Sequence, residues 1–167
     1  MGGIGYKSAA ALLMLCALIA CGEKDDARAI RKLIAGGAAL AEQHQIADLM
    51  RLTADGFTAW PGRYDARAVR GILFATFRRW GRFEIHYPRP AVELAPAPDR
   101  ATAVMVLLMV SKDREFPGLK ELYEDPQGWI EAVGEKADLY QLRLDLIKKE
   151  GDWRVQQASI ERFKGLV

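Results

Sequence analysis

Glu84 and His86 stand two residues apart in Phe83-Glu84-Ile85-His86-Tyr87. A carboxylate and an imidazole at that spacing share one face of a strand, roughly 7 Å apart. Such a pair suits general acid–base chemistry, one group moving a proton while the other fixes its protonation state. The alternation around them argues for a different placement: Phe83, Ile85 and Tyr87 form the natural inward set and turn Glu84 and His86 to the outer face. Asp55, in Ala54-Asp55-Gly56-Phe57, is a third candidate base, although a residue directly ahead of a glycine also reads as a simple turn. An enzyme built on any of the three needs that group inside a pocket that perturbs its pKa. The chain has two histidines, His44 and His86, so a histidine-rich metal centre is excluded and a two-histidine site requires both to converge. No metal and no cofactor is expected.

One of the two cysteines points to a chemistry of attachment. An apolar run from Ser8 to Ala20 follows the single charge of Lys7 and ends in Leu18-Ile19-Ala20-Cys21. At about 13 residues it falls short of the roughly 20 that span the hydrocarbon core, which favours a cleaved export signal over a membrane-spanning helix. Leu18-Ile19-Ala20-Cys21 resembles the lipid-attachment box of bacterial lipoproteins. That resemblance implies that residues 1–20 are a signal peptide and that Cys21, acylated on sulfur and on its new amino terminus, begins the mature protein. Residues 21–26 would then tether the domain within on the order of 20 Å of a bilayer. Several acyl chains at about 0.8 kcal/mol per buried methylene make such an anchor lasting. Gly22 stands where an aspartate would favour inner-membrane retention, so the resemblance implies the periplasmic face of the outer membrane. Cys16 leaves with the signal, and the mature chain holds no free thiol for a disulfide, a thiolate metal site or a nucleophile.

Residues 27–167 have the length and the half-apolar composition of a single globular domain. Lys and Arg number 24 against 22 Asp and Glu, and losing Lys7 with the leader brings the balance closer still. Bulk charge therefore does not argue for nucleic acid. Charge is concentrated instead, with Arg63, Arg67, Arg70, Arg78, Arg79, Arg82 and Arg89 in one stretch that holds little acid. At about 100° per residue a helix puts Arg67, Arg70 and Arg78 on one face with Phe74 among them. This is a candidate contact for anionic lipid, lipopolysaccharide or an acidic partner, and it also reads as an ordinary solvated face.

Three predicted helices and a sheet have to position these groups. Asp25 or Asp26 caps a helix running to about His44, with Ile30, Leu33, Ile34, Gly37, Ala38 and Ala41 inward. A short second helix carries Ile46, Leu49, Met50 and Leu52, stops near Asp55-Gly56, and leads to a turn at Trp60-Pro61-Gly62. Asp65 caps a third helix with Val69, Ile72, Leu73, Thr76, Phe77 and Trp80 inward, Arg78 and Arg79 in its last turn, and Gly81 at its end. Extended spacing then takes over at 82–87 and 91–94. An apolar run over 101–111 suits a central strand covered on both faces. Strict alternation over 138–148 turns at 149–152 into a last strand over 153–163. Residues 112–136, with Tyr123 and Trp129, form an insertion too long for a tight connection.

Helices leading to a sheet that closes in Gly151-Asp152-Trp153-Arg154-Val155, with Ala54-Asp55-Gly56-Phe57 after the second helix, resemble the nuclear transport factor 2-like superfamily over about 27–163. The resemblance implies an α+β cone, three N-terminal helices packed on a curved antiparallel sheet, as in ketosteroid isomerase and the SnoaL-like polyketide cyclases. That fold hosts enzymes, carriers and protein-binding modules alike, so it does not choose a function. The expected lining of the cone is Trp60, Tyr64, Phe77, Trp80, Tyr87 and Tyr140, suited to a hydrophobic small ligand or to a filled core. The expected function is a membrane-anchored, non-catalytic module that binds such a ligand or an envelope protein. The alternative is a cofactor-independent isomerase, dehydratase or hydrolase using Asp55, Glu84 or His86. The sheet face bearing Gln141, Arg143 and Asp145 is the candidate surface for a homodimer.

Overall fold

The structure, a computed structural model, describes residues 25–112, 124–125 and 137–162. Cys21 and its leader, and Tyr123 and Trp129 of the insertion, lie outside the described residues. Helix α1 covers 25–42, and His44, in the left-handed region at φ 57°, turns the chain into α2 (Ile46–Arg51). Strands β1 (Thr53–Trp60) and β2 (Tyr64–Asp65) precede α3 (Ala66–Trp80). Five strands follow: β3 (Phe83–His86), β4 (Ala91–Leu94), β5 (Arg100–Ser111), β6 (Ala137–Lys149) and β7 (Asp152–Arg162). The seven strands form one sheet in the order β2-β1-β7-β6-β5-β3, with β4 also paired to β5.

Each sequence signal around α3 acts as its chemistry dictates. The Asp65 carboxylate accepts a hydrogen bond from the Ala68 amide at 2.8 Å, giving one otherwise orphaned N–H a partner. Gly81, at φ 64°, ends the helix and donates its amide to Phe77 O at 3.0 Å. The hairpin between β6 and β7 is as sharply specified. Lys149 pairs with Asp152, and the two loop residues Glu150 (φ 54°) and Gly151 (φ 91°) both take the left-handed conformation that a two-residue turn with the strands' own twist requires.

Three expectations need correction. Ala54 to Trp60 is not the tail of a helix followed by a turn, because α2 ends at Arg51 and β1 begins at Thr53. The residues misled because Ala54 and Phe57 are both buried three positions apart, a helical spacing, on a strand. A bulge between Thr53 and Thr58, with Gly56 at φ 73°, shifts the register and breaks the alternation that would have marked it. Second, the sheet is mixed, since β1 runs parallel to β7, and only two of the three helices precede its first strands. Third, β5 is covered on one face only: Ala101, Ala103, Met105, Leu107, Met109 and Ser111 are buried, while Thr102 and the four residues Val104, Val106, Leu108 and Val110 are half-covered.

The helices pack on the inner face of the sheet over two apolar clusters. One joins Ile30 and Ile34 of α1, Met50 of α2 and Phe57 of β1 to Ala103, Met105, Leu144, Leu146, Trp153 and Val155. The other joins Ala41, Phe77 and Phe83 to Leu107 and Met109. Phe83, Ile30 and Leu146 are the largest side chains wholly withdrawn from water, each contributing about 1.5–3 kcal/mol by burial. Two polar contacts fix the ends of α1. Asp26 accepts from Lys148 Nζ at 2.6 Å and Trp153 Nε1 at 3.0 Å, pinning the start of the helix to the β6–β7 hairpin. Glu42 Oε1 accepts from the Ile85 amide at 2.7 Å, occupying a donor of the edge strand β3. Burial alone would raise the pKa of Asp26, but the hydrogen bonds from Lys148 and Trp153 and the lysine charge outweigh it and hold the carboxyl below its usual range.

Candidate functional site

On α3, Arg67, Arg70, Gly71, Phe74 and Arg78 fall at i, i+3, i+4, i+7 and i+11, a stripe of which every member is exposed. Arg67, Arg70, Gly71 and Phe74 meet Ile46 and Ala47 of α2 around a groove of about 540 Å³, open to solvent along one side. Among the described residues that line it, Arg67 and Arg70 alone carry polar side chains, and Phe74 is 61% exposed. Arg78 continues the stripe one turn beyond the groove. A Cβ built on Gly71 meets nothing within 4 Å, so neither packing nor backbone geometry requires glycine there.

The arginines divide into two groups. Arg28 faces Asp25 at 3.9 Å, Arg100 donates to Gln156 at 2.7 Å, Arg143 faces Asp145 at 3.4 Å, and Arg51 and Arg162 pair with Asp48 and Asp138. Arg63, Arg67, Arg70 and Arg78 have no side-chain hydrogen bond or ion pair among the described residues. Among the described residues the stripe is therefore an uncompensated cationic surface beside an apolar trough, chemistry that suits an anionic group attached to an apolar body.

The six aromatic residues assigned to the interior part company. Phe77 is buried, stacked on His44 and tilted against Phe83, with ring centroids 5.2 Å apart in each case. Trp80 and Tyr87 are half-buried against the core clusters. Tyr140 is half-buried too, and its hydroxyl donates to Asp138 at 2.9 Å, with Arg162 as the second partner of that carboxylate. Burial, then the Asp138 hydrogen bond and charge, push the Tyr140 phenol up to about 12. Trp60 and Tyr64 are corrections, at 43% and 44% exposed. Trp60 pairs with Ser159 and Ser159 with Arg143, which places it on the outer sheet face, and Tyr64 sits on the two-residue edge strand β2.

Glu84 and His86 do face outward, as the alternation predicts, with the imidazole 3.4 Å from the carboxylate and Lys112 Nζ 2.7 Å away on its other oxygen. The Lys112 hydrogen bond and charge hold the Glu84 carboxyl below its usual range. The pair is an ion-pair cluster on an exposed strand edge, without the enclosure that acid–base work calls for. Asp55 is fully exposed on β1, 3.8 Å from Lys149. Among the described residues no group of His, Cys, Asp and Glu is arranged to hold a metal, and no helix is long and apolar enough to cross a membrane.

The structure thus brings together three of the four residues read as a contact face, Arg67, Arg70 and Phe74. It adds Ile46, Ala47 and Gly71, which the sequence reading missed. Gly71 carried a legible signal: a glycine inside an otherwise strong helix costs about 1 kcal/mol and asks for a reason. The Asp138–Tyr140–Arg162 cluster was also missed, because Arg162 reaches Asp138 only through the β6–β7 register.

No family model and no curated protein matches the chain. Solved structures do match in fold. A scytalone dehydratase candidate from Novosphingobium aromaticivorans superposes with a TM-score of 0.65 at 12% identity, covering 86% of this chain and 88% of that one. A nuclear transport factor 2-like protein from Pseudomonas putida gives 0.63 at 14% identity, covering 83% and 87%. Another nuclear transport factor 2-like protein with a cystatin-like fold, from N. aromaticivorans, gives 0.60 at 15% identity over 99% and 95%. At these identities the likeness is one of fold: the chain has the nuclear transport factor 2-like, cystatin-like α+β architecture.

Proposed function

We propose that this chain is a lipoprotein, anchored through Cys21 to the periplasmic face of the outer membrane, whose domain binds a ligand or an envelope protein without chemistry. The observation that carries the reading is a reversal of where polarity is left open. Among the described residues the inner face carries two apolar clusters and no buried side-chain polar atom lacks a partner, whereas the open groove and the arginines without a described partner lie on the exposed face of α3. The weak catalytic candidates Asp55, Glu84 and His86 all lie on exposed surface, which further supports a binding role. Native mass spectrometry of the protein released from its host envelope tests the reading. A mass at Cys21 equal to the acylated mature chain, with a co-purified small molecule or partner, supports it. An unacylated chain retaining 1–20, or one carrying only turnover products of an added substrate, overturns it.

A cofactor-independent enzyme is the second reading. What favours it is the Asp138–Tyr140–Arg162 cluster on the inner face, together with fold neighbours that include dehydratase and ring-hydroxylase candidates. We also assign the outer sheet face to pairing with a second copy. Arg143 and Asp145 sit there as a self-complementary pair of charges beside half-covered Val104 and Val106, the pattern that a two-fold interface uses.

A further inference from the structure

We infer that the groove between α2 and α3 is a binding site for a single-chain anionic amphiphile, an acyl chain ending in one acidic head group. The inference rests on the binding-module reading and names its site and ligand class.

Three observations converge on it. Arg67 and Arg70, one helical turn apart and without a partner among the described residues, border the groove and can supply two guanidinium donors to a carboxylate or phosphate oxygen pair. Ile46, Ala47, Gly71 and Phe74 supply the rest of the lining, and Phe74 stays exposed although no feature of the fold requires a phenylalanine there. Gly71 completes the wall. A Cβ there would meet nothing and would stand at the groove wall, so the glycine forgoes about 1 kcal/mol of helix stability and keeps the trough clear.

The lining also discriminates between ligand classes. A peptide brings backbone N–H and C=O groups along its whole length, and each needs a partner when it is withdrawn from water. Among its described lining residues this groove offers side-chain donors from the neighbouring Arg67 and Arg70 alone and no acceptor side chain. An occupant with an apolar body and its only polarity at one end satisfies every group on both sides.

The test is photo-crosslinking of the full chain, held in phosphatidylcholine nanodiscs, with a diazirine-bearing long-chain carboxylate, and mapping of the label by peptide mass spectrometry. Label is expected on the peptides holding Ile46–Ala47 and Arg67–Phe74. Gly71→Leu, which fills the trough and keeps both charges, should lower it about tenfold, the ratio that 1.4 kcal/mol represents. Arg67→Glu with Arg70→Glu should lower it at least as far, and the matching diazirine alcohol should label weakly. Gly36→Ala, a second helical glycine with nothing within 4 Å, gives the same propensity change away from the groove and should leave labelling unchanged. Equal labelling by the alcohol overturns the inference, as does labelling that survives Gly71→Leu. Label on the inner face near Tyr87 and Leu142 overturns the groove but leaves the binding-module reading standing. No label anywhere in the domain overturns the groove and removes a small amphiphile from that reading. Groove labelling that is displaced by an acidic peptide but not by unlabelled carboxylate assigns the groove to protein and overturns the inference.

Discussion

Phe83 and Phe74 are nine positions apart, and the molecule treats them in opposite ways. Phe83 is 1% exposed and packed in an apolar cluster with Ala41, Phe77, Leu107 and Met109. Phe74 is 61% exposed, beside arginines that have no partner among the described residues. The same contrast holds between the regions they represent. At the inner face and its ends, Asp26, Glu42, Asp138 and Tyr140 each have a named partner, and the interactions there are consumed in holding the fold. On the outer stripe of α3 the side chains hold nothing together. Residues that a fold does not use, gathered around one trough, are the natural place to look for what the protein contacts.

The sharpest way to break this comparison is to truncate both phenylalanines. Phe83→Ala should cost about 4 kcal/mol, the range for emptying an aromatic core site. Phe74→Ala should stay within about 0.5 kcal/mol of wild type. Urea midpoints check both, and a large cost at Phe74 would mean that the stripe is structural after all.

Next in size is Asp26→Asn, which removes a charge-assisted contact at the base of α1 and should cost about 2 kcal/mol near neutral pH. The folded-state pKa of Asp26 is lowered, so its contribution is present above the unfolded value of 3.8 and is lost as pH falls through the lower folded value. A urea series from pH 6 to about pH 2 should therefore show a shallower acid loss in the variant than in wild type.

Tyr140→Phe comes third, at about 1 kcal/mol, because Asp138 keeps Arg162 when the phenol is gone. Spectrophotometric titration of the wild type should show one tyrosine that does not ionise until about pH 12 and that is missing from the variant. The smallest effect is a gain: Gly36→Ala should add up to about 1 kcal/mol of helix stability, read as a raised melting temperature.

Much of the architecture was legible in the residues. Asp65 and Gly81 bounded α3 because capping is local chemistry, and the alternation in 138–148 fixed which side of β6 is wet. Gly151 marked the hairpin for the same reason. What stayed hidden depends on contacts distant in sequence. β1 escaped notice because a bulge and a parallel partner, Thr58 beside Gln157, replace local alternation with register. Trp60 faces outward for that reason too. Of the site, the cationic stripe was legible because it lies on one helix. Its opposite wall, Ile46 and Ala47, was not, because those residues read equally well as part of an ordinary apolar face until α2 is laid beside α3.

The junction of Asp26 with Lys148 and Trp153 also gives the domain a mechanical character. Any pull arriving through residue 25 is received by a clamp on the tightest turn of the sheet, and it passes at once into β6 and β7, whose long antiparallel ladder shares the load among many hydrogen bonds. Under such a pull the contacts of Asp26 with Lys148 and Trp153 are among the first to bear the load.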